Sequence, residues 1–465
     1  MIDLSGIKES FVKPVAIFGL GKSCMATARA LDEAGVKLIL WDDSEEQRDA
    51  ARKDGFIVRD LMQEDFLEIS LLVLAPGIHL KYPEPHPVVK RAQQAGTEVI
   101  CDIELLGRAK PDIHSIGITG TNGKSTTTAL IAHIFDESDI EVECGGNIGI
   151  PALELDDISS DGVYVLELSS YQLDLCPDYA PEIAVLLNIT PDHLDHHGEM
   201  ESYVAAKEKI FRGHGIAIIA VDDEETKKIY QKLERESDRN VIPVSCREVL
   251  DGGVYVNDNC ILIDNIKGEN RPVVDLKELK NLRGRHNWQN AAAAYAACKS
   301  YGMSLADIAE DIKTFDGLAH RQQLIATQNG VSYINDSKAT NVESTCKALQ
   351  SYSNIYWIAG GKVKEGGFEG LSPYLAQVQH VYLIGEDSSE LESFLKEKNV
   401  PYTVSITLDN AVRSAHDGAK ESEIANPIVL FSPACASFDQ FNNFEERGEA
   451  FAGFVQSVLE EEPFA

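Results

Sequence analysis

Short apolar runs alternate with amphipathic stretches along most of the chain. Near the N-terminus, residues 15–20 and 36–41 have the pattern of buried strands, and residues 24–35 have the pattern of a helix that ends at a glycine. A further apolar run covers residues 71–75. Such β–α units predict a parallel sheet with helices packed on its faces.

The same alternation continues in two further blocks. The first block ends near residue 102, and the third begins near residue 317. The second block has predicted strands at 162–168, 183–189 and 215–221, and a predicted helix at 287–297. The third has predicted strands at 331–334, 355–359, 380–384 and 427–431, a glycine-rich loop at 360–367 and a last helix at about 441–459. The pattern therefore predicts an α/β protein built from three parallel-sheet blocks.

Composition narrows the class of protein. The 465 residues are enough for two to four domains, and 44% hydrophobic with 25% charged residues is typical of a soluble globular chain. No apolar run has the ~18 residues of a membrane span, and the N-terminus lacks the pattern of a signal peptide. The net charge of −33 argues against a nucleic-acid partner. The nine scattered cysteines fit reduced thiols in a cytoplasmic protein.

Residues 114–128 carry the strongest chemical signal. An apolar strand pattern leads into Gly120 and Gly123, then Lys124 and Ser125, and a helical pattern follows. This order predicts a loop that holds nucleotide phosphates, because glycines turn N–H groups inward and the lysine supplies a full positive charge. A strict G-x-x-x-x-G-K-S pattern fails because residue 118 is isoleucine, and a chance glycine turn is the alternative.

A second glycine turn follows the first predicted strand. Gly19 and Gly21 match the start of a dinucleotide fingerprint, although Cys24 replaces its third glycine. Asp42 and Asp43 lie about twenty residues on, where a carboxylate can meet a ribose hydroxyl. The pattern favours a nucleotide-like ligand over a simple tight turn, and a dinucleotide-binding oxidoreductase is one interpretation. Two nucleotide sites suggest that one nucleotide is consumed in the reaction and that the other is a part of the substrate by which the protein binds it.

Acidic and imidazole groups follow two strands of the second block. Glu167 ends an apolar strand and is a natural support for Mg²⁺ beside a phosphate loop. His193 lies among three histidines and two aspartates at 192–197. Their spacing does not match a structural zinc site, and one histidine facing the phosphates is the preferred interpretation over a polar loop. Lys207 has the pattern of an ordinary surface lysine.

Charged and hydroxyl residues lie at 320–322 and 335–341, where the third block opens and a predicted strand ends. Others lie at 432–439, after a later predicted strand. Such groups recognise ribose, phosphate or carboxylate, although a surface ion pair is the alternative. Cys435 could be a nucleophile, but a buried thiol is commoner.

Taken together, these stretches resemble the ATP-dependent Mur ligases. The matching motifs lie in order over almost the whole chain, at 120–126, 145–149, 167–170, 192–196, 203–207, 284–290, 320–321 and 335–341. Within that family, residues 335–341 and 432–441 are most similar to the members that add D-glutamate to UDP-N-acetylmuramoyl-L-alanine.

The resemblance implies an N-terminal Rossmann-like domain at 1–102 for the UDP-sugar, a central P-loop ATPase-type domain at 103–318 and a C-terminal Rossmann-like domain at 319–465. It implies an acyl-phosphate route that releases ADP and phosphate, in peptidoglycan precursor synthesis in the cytoplasm. The implied partners are UDP-N-acetylmuramoyl-L-alanine, D-glutamate and ATP, with two Mg²⁺ ions. A monomer is expected, without nucleic acid or membrane insertion.

The resemblance also implies roles for individual residues. It assigns ATP to Gly120, Thr121, Asn122, Gly123, Lys124, Ser125, Thr126, Thr127, Asn290, Arg321, Asp336 and Lys338. It assigns the UDP-sugar to Gly19, Gly21, Ser23, Asp42, Asp43, Gly77 and Asn147, and D-glutamate to Thr340, Lys364, Ser437 and Phe444. It assigns metal to Ser125, Glu167, His193 and a carbamylated Lys207, and catalysis to Lys124, Glu167, His193 and Lys207. Whether Lys362 or Lys364 meets the substrate stays open. The remaining alternatives are a folylpolyglutamate or other amino-acid ligase and a non-catalytic nucleotide-binding regulator.

Overall fold

The computed structural model describes residues 1–236, 238–279, 281–363, 367–385 and 388–461. The chain divides into two compact units: residues 1–278 with 285–315, and residues 279–284 with 316–465. Within the described ranges the strands form three sheets, of four, nine and six strands. The predicted α/β class with parallel-sheet domains is therefore confirmed, while the three predicted domain boundaries stay a prediction.

The first sheet has the strand order β2-β1-β3-β4, and all of its pairs are parallel. The side chains of its central strand are fully buried, because helices cover both faces of a parallel sheet. Its strands are β1 (Val15–Phe18), β2 (Leu38–Trp41), β3 (Leu71–Leu74) and β4 (Glu98–Ile100). Its helices are α1 (Lys22–Glu33), α2 (Glu45–Lys53), α3 (Pro87–Ala95) and α4 (Asp102–Ala109).

The second sheet belongs to the same unit and has the order β13-β12-β11-β10-β9-β8-β5-β7-β6. It is parallel from β6 to β11 and antiparallel from β11 to β13. Its strands are β5 (His114–Thr119), β6 (Val142–Gly146), β7 (Val163–Glu167), β8 (Ile183–Leu186), β9 (Ile216–Ala220), β10 (Asn240–Ser245), β11 (Val254–Val256), β12 (Ile261–Asp264) and β13 (Arg271–Asp275). Its helices are α5 (Lys124–Glu137), α6 (Ser170–Asp174), α7 (Leu194–His197), α8 (Met200–Glu208), α9 (Glu224–Glu236), α10 (Arg285–Tyr301) and α11 (Leu305–Thr314).

A buried arginine connects the N-terminal ends of β8 and β9. Arg239 donates hydrogen bonds to the backbone carbonyls of Pro181 (2.9 Å), Phe211 (3.1 Å) and Ile216 (3.1 Å). Burial lowers the pKa of Arg239 to about 10. Because one guanidinium satisfies carbonyls that precede β8, end the α8 region and begin β9, it fixes these segments to one another.

The second unit contains the third sheet, with the order β14-β15-β19-β16-β17-β18. Only the β14–β15 pair is antiparallel among its described strands. The strands are β14 (Gln323–Gln328), β15 (Val331–Asn335), β16 (Ile355–Gly360), β17 (Val378–Ile384), β18 (Tyr402–Ile406) and β19 (Ile428–Phe431). The helices are α12 (Val342–Ser351), α13 (Ser389–Glu397), α14 (Leu408–Lys420) and α15 (Phe444–Glu461).

The apolar runs of the sequence correspond to strands in all three sheets. The pattern did not predict β4, β6, β10–β14 or β18, each of which has at most three consecutive apolar residues. Six 3₁₀ segments complete the described helices, at Ser5–Ser10, Leu61–Gln63, Phe66–Glu68, Ala152–Glu154, Lys209–Phe211 and Glu369–Gln377. Across the described ranges, no helix is both long enough and apolar enough to cross a membrane.

Candidate active site

The glycine loop and several predicted site residues lie at one edge of the second sheet. Strand β5 is paired with β7 on one side and β8 on the other, with Ile118 beside Glu167 and Thr119 beside Leu186. Because the three strands are parallel, their carboxyl ends meet at the same edge. This edge therefore carries the loop at 120–123, Glu167 and the segment that begins at residue 187.

The loop at 120–123 leads directly into the N-terminus of α5. Gly123 has φ +87°, and a Cβ atom there would lie 2.3 Å from Oδ1 of Asn290, so only glycine fits. The Lys124 Nζ atom donates to the carbonyl oxygens of Gly120 and Thr121, both at 2.9 Å. In the first turn of α5, Ser125 and Thr127 are buried and Thr126 is half-buried. The helix N-terminus and the lysine bring positive charge to one place, which suits a phosphate.

Two residues of the loop form hydrogen bonds with the segment that follows β8 and with α8. The N–H of Thr121 donates to the Asn188 carbonyl (2.8 Å), and the N–H of Asn122 donates to Asn188 Oδ1 (2.9 Å). The Thr121 hydroxyl is hydrogen-bonded to Tyr203 (3.0 Å) and accepts from the Thr190 N–H (3.0 Å). These contacts fix the loop backbone just before the start of α5.

Lys207 lies behind the same loop and is only 2% exposed. Its Nζ donates to the Gly120 carbonyl at 2.9 Å, the same oxygen that accepts from Lys124. Burial, and then the nearby Lys124 ammonium, lowers the pKa of Lys207 well below its ordinary value. The interpretation of Lys207 as a surface lysine is therefore wrong, since its sequence pattern gives no sign of this burial. A neutral amine at this place is the form that the surroundings favour.

Glu167 and Asn147 lie together beside this loop. The Asn147 amide donates to Glu167 Oε1 at 2.8 Å, and Asn147 N–H donates to the Glu167 carbonyl at 2.9 Å. Glu167 is 3% exposed, and its Oε2 is buried without a hydrogen-bond partner among the described residues. A buried carboxylate oxygen left in this state is expensive unless a cation or a donor joins it.

His193 differs from Glu167 because it is open to solvent. Its side chain is 48% exposed and lies 3.4 Å from the Asp192 carboxylate. The residue has φ +54° and packs against the Tyr171 ring at 5.1 Å. In the described part of the chain, no group of three or more His, Cys, Asp or Glu side chains is arranged to hold a metal ion by itself.

The carboxyl edge of the first sheet carries the predicted sugar-nucleotide residues Gly19, Gly21, Ser23, Asp42, Asp43 and Gly77. Gly19 has φ +87°, and a Cβ there would lie 2.6 Å from the Ala75 side chain. Asp42 accepts from the N–H groups of Leu20 (2.6 Å) and Ser44 (2.7 Å), so its carboxylate braces the loop itself.

Two further contacts complete this region. Asp43 is hydrogen-bonded to His86 at 3.1 Å. Lys22 at the start of α1 donates to the Gly149 carbonyl at 2.8 Å, which joins this edge to the loop after β6. The first-sheet loop and the segment that carries Asn147 are thus linked within one unit.

In the second unit, the carboxyl ends of β15 and β19 lie side by side and bring two predicted segments together. Ser432 donates to Asp336 Oδ2 at 2.7 Å, and the N–H of Gln322 donates to Oδ1 at 3.2 Å. Burial raises the pKa of Asp336 to about 7, against the opposing effects of these bonds and of Arg321. The Lys338 Nζ lies 3.6 Å from the centre of the Phe444 ring.

Arg447 holds these two segments in place and was missed by sequence reasoning. It is 1% exposed and donates to Ser337 O (2.8 Å), Ser337 Oγ (3.1 Å) and Cys435 O (3.1 Å). It therefore anchors the neighbours of Asp336, Lys338 and Ser437. Thr340 follows on the same segment, where its N–H donates to the Lys338 carbonyl at 2.8 Å.

The glycine-rich segment after β16 adds one more observation. Lys362 exchanges backbone hydrogen bonds with Ala436, at 2.9 and 3.0 Å. This lysine therefore lies beside the segment that contains Ser437. Lys364 lies outside the described residues.

Comparisons with known proteins show the family of the chain. Residues 118–298 match the Mur ligase middle domain, and residues 320–435 match the Mur ligase, glutamate ligase domain. The chain is 48% identical over 452 residues to the UDP-N-acetylmuramoylalanine--D-glutamate ligase of Rhodospirillum rubrum, covering 96% of this chain and 94% of that protein. It is 45% identical to the ligase of the same name from Phenylobacterium zucineum, with 99% of each chain covered.

Solved structures show the same fold at low identity. A UDP-N-acetylmuramate-alanine ligase of Thermotoga maritima has a TM-score of 0.59 at 19% identity, covering 96% of this chain and 99% of that one. A pseudomurein peptide ligase type C of Methanothermus fervidus has a TM-score of 0.55 at 17% identity, covering 97% and 99%.

A phosphate loop at the edge of a parallel sheet, with a buried acid and a buried lysine beside it, defines an enzyme that uses a nucleoside triphosphate. The chain belongs to the Mur ligase family. It is an ATP-dependent ligase that forms amide bonds.

Proposed function

We propose that this ligase joins D-glutamate to UDP-N-acetylmuramoyl-L-alanine and cleaves ATP to ADP and phosphate, in peptidoglycan precursor synthesis. The similarity to relatives that carry this name, at 48% and 45% identity over almost the whole chain, supports the choice of substrates. The observation that carries the proposal is the phosphate loop with Lys124, Glu167 and Lys207 at one sheet edge.

The chemistry follows from the charges at this edge. The substrate's L-alanyl carboxylate attacks the γ-phosphorus of ATP, an acyl phosphate forms, and ADP leaves. The amine of D-glutamate then attacks the acyl carbon, loses a proton, and phosphate leaves from the tetrahedral intermediate. Lys124 and the N-terminus of α5 neutralise the phosphoryl oxygens, so the protein contributes mainly positioning and electrostatic stabilisation.

The residues at this edge fit Mg²⁺. The Oε2 of Glu167, which has no hydrogen-bond partner among the described residues, is a hard oxygen donor, and Ser125 has a hydroxyl in the first turn of α5. Ser125 and Glu167 would hold one ion, and His193 with a modified Lys207 would hold a second. Bound Mg²⁺ would add charge stabilisation at the phosphoryl oxygens.

Lys207 fits this role only as a carbamate. Its amine nitrogen would attack the carbon of CO₂, release a proton to solvent and become an anionic oxygen ligand. The burial that lowers the pKa of Lys207 favours the neutral amine that this addition needs. As an ammonium group the side chain would instead repel a cation.

The second unit supplies the other contacts of the proposal. In this proposal Arg321, Asp336 and Lys338 are nucleotide contacts of the second unit. Asn290, a residue of the first unit, is a separate proposed contact. The D-glutamate residues are Thr340, Ser437 and Phe444, and the two lysines at 362 and 364 are candidates for its carboxylate. The bridge between Lys362 and Ala436 supports Lys362 for this role.

The first-sheet edge binds the UDP-sugar in this proposal, with Asn147 near the muramoyl-alanine. Loop glycines and the N-terminus of α1 are the groups that suit a diphosphate, whereas the Asp42 carboxylate accepts from two backbone N–H groups and would repel it.

A coupled ADP-release assay tests the function. The enzyme should release ADP only when UDP-N-acetylmuramoyl-L-alanine and D-glutamate are both present, within a panel of UDP-muramoyl acceptors and amino acids. Lys124→Ala should abolish release, while Lys228→Ala, a surface control, should not. Preference for another amino acid, or wild-type release by Lys124→Ala, contradicts the proposal.

A separate experiment tests the carbamate. The enzyme in ¹³C-labelled bicarbonate should show a carbamate carbon signal by NMR that Lys207→Ala lacks. Lys207→Ala should be inactive, and a short carboxylic acid should restore part of its activity. Full activity of Lys207→Ala without the acid would contradict the carbamate.

A further inference from the structure

Asn188 forms hydrogen bonds with three backbone groups of the phosphate loop, one through its backbone carbonyl and two through its side-chain amide. The Asn188 carbonyl accepts from the Thr121 N–H at 2.8 Å. Its side-chain Oδ1 accepts from the Asn122 N–H at 2.9 Å, and its Nδ2 donates to the Asn122 carbonyl at 3.1 Å. The side-chain amide of Asn188 is therefore hydrogen-bonded to both the N–H and the carbonyl of Asn122, which fixes the loop just before Gly123 and Lys124.

These two hydrogen bonds form in only one orientation of the Asn188 amide. If the Asn188 amide turned over, its Nδ2 would face the Asn122 N–H and its Oδ1 would face the Asn122 carbonyl, so both bonds would be lost. The neighbouring Gln289 selects the orientation, because its Oε1 accepts from Asn188 Nδ2 at 3.2 Å.

The orientation of Gln289 is selected in turn by Asp222. The Gln289 Nε2 donates to Asp222 Oδ2 at 2.8 Å. A carboxylate only accepts hydrogen bonds, so it forces Nε2 toward itself and Oε1 toward Asn188. Asp222 is held by Ser245 Oγ (2.6 Å) and the Cys246 N–H (3.0 Å).

We propose that Asn188 is a positioning residue for ATP, and that Asp222 acts through Gln289 to set the orientation of its amide. The row Asp222–Gln289–Asn188 touches the loop backbone at Asn122 and reaches back to Ser245 and Cys246. It fixes the backbone of Asn122 just before Lys124 and the start of α5, where the phosphates are proposed to bind. This inference rests on the use of ATP in the proposed function.

The substitution Asp222→Asn tests the polarity of the row with almost no change in shape. An asparagine there can donate as well as accept, so the amides of Gln289 and Asn188 are no longer forced into one orientation. The KM for ATP should rise about three- to tenfold, the cost of one weakened hydrogen bond. The KM values for D-glutamate and the UDP-sugar should stay within twofold of the wild type.

Ser245→Ala is the matched control, since it removes a bond to the same carboxylate without touching Gln289. Its KM for ATP should equal that of the wild type. Gln289→Met breaks the row one step nearer the loop, so its rise should match that of Asp222→Asn. The double variant should show the same rise as either single one, because both act through one amide.

Three outcomes would overturn the inference: an unchanged KM for ATP in Asp222→Asn, an equal rise in Ser245→Ala, or additive effects in the double variant. If Asp222→Asn does not fold, Asn188→Asp replaces it. Asn188→Asp keeps the acceptor for the Asn122 N–H but loses both donors, and it should raise the same KM. Absence of ATP-dependent turnover in the wild type would instead refute the proposed function.

Discussion

Replacing Arg447 by methionine removes a buried cation and keeps most of the volume of its stem. In the wild type the guanidinium donates to both polar oxygens of Ser337 and to the Cys435 carbonyl. The methionine variant leaves these oxygens buried without that donor. We expect both a loss of stability and a loss of the alignment between the segments that carry Lys338 and Ser437.

The size of the stability loss follows from two opposing effects. Three hydrogen bonds from a charged donor are worth about 1.5 to 3 kcal/mol each. Burial of the guanidinium, which lowers the pKa of Arg447 to about 10, offsets about 3 kcal/mol of this gain. We therefore expect Arg447→Met to lower the free energy of unfolding of the second unit by about 1.5 to 6 kcal/mol.

Urea unfolding followed by tryptophan fluorescence measures this change. The chain has three tryptophans, and in a Trp41→Phe, Trp288→Phe background only Trp357 of the second unit reports. Arg413→Met is the control, since Arg413 is 41% exposed and forms surface ion pairs that are worth at most about 1 kcal/mol. If Arg447→Met is as stable as Arg413→Met, the reasoning about the buried guanidinium is refuted.

Three further predictions concern other buried groups. Burial raises the pKa of Asp336 to about 7, so between pH 4 and 7 the folded state keeps a proton on this carboxyl that the unfolded state has lost. The free energy of unfolding of the wild type should therefore fall as the pH increases from about 4 to 7. The Asp336→Asn variant should not show this fall, and urea unfolding at a series of pH values measures it. Arg239→Lys should cost about 2 to 4 kcal/mol of unfolding free energy, because lysine has too few donors for its carbonyls, whereas Arg235→Lys on the surface should be neutral. The Sγ atoms of Cys101 and Cys176 lie 3.5 Å apart, so diamide should crosslink this pair slowly, since burial raises the pKa of Cys176; peptide mass spectrometry showing random pairings would contradict this.

The sequence predicts the strands of the parallel core well, because a strand covered on both faces must be apolar at every position. It also predicts the phosphate loop, since glycine, lysine and serine are needed there for local reasons. Strands β4, β6, β10–β14 and β18 escape prediction, because each is short or is interrupted by polar residues, proline or glycine and so has no long apolar run. Roles that came from the family resemblance stay proposals at the level of single residues.

Residues whose importance depends on distant partners are the ones that sequence reasoning missed. Arg447 bonds to Ser337, which is 110 positions away in the chain. Lys207 has the pattern of a surface lysine and is nevertheless buried. Asn188 lies in a motif-rich stretch, yet its contacts with the loop come from the pairing of two strands. No local pattern encodes such contacts, because they depend on how parallel strands bring their ends together.

The hydrogen bonds from Arg239 to backbone carbonyls have a consequence for how the stability of the protein responds to ionic strength. Dissolved salt screens charges that water reaches, and the net charge of −33 makes mutual repulsion of surface carboxylates the main target of that screening. The partners of Arg239 are backbone dipoles in the interior, which counter-ions do not reach. Added salt should thus reduce the repulsion between surface carboxylates without weakening the hydrogen bonds of Arg239. The free energy of unfolding of this acidic protein should therefore be higher at high salt concentration than in dilute buffer.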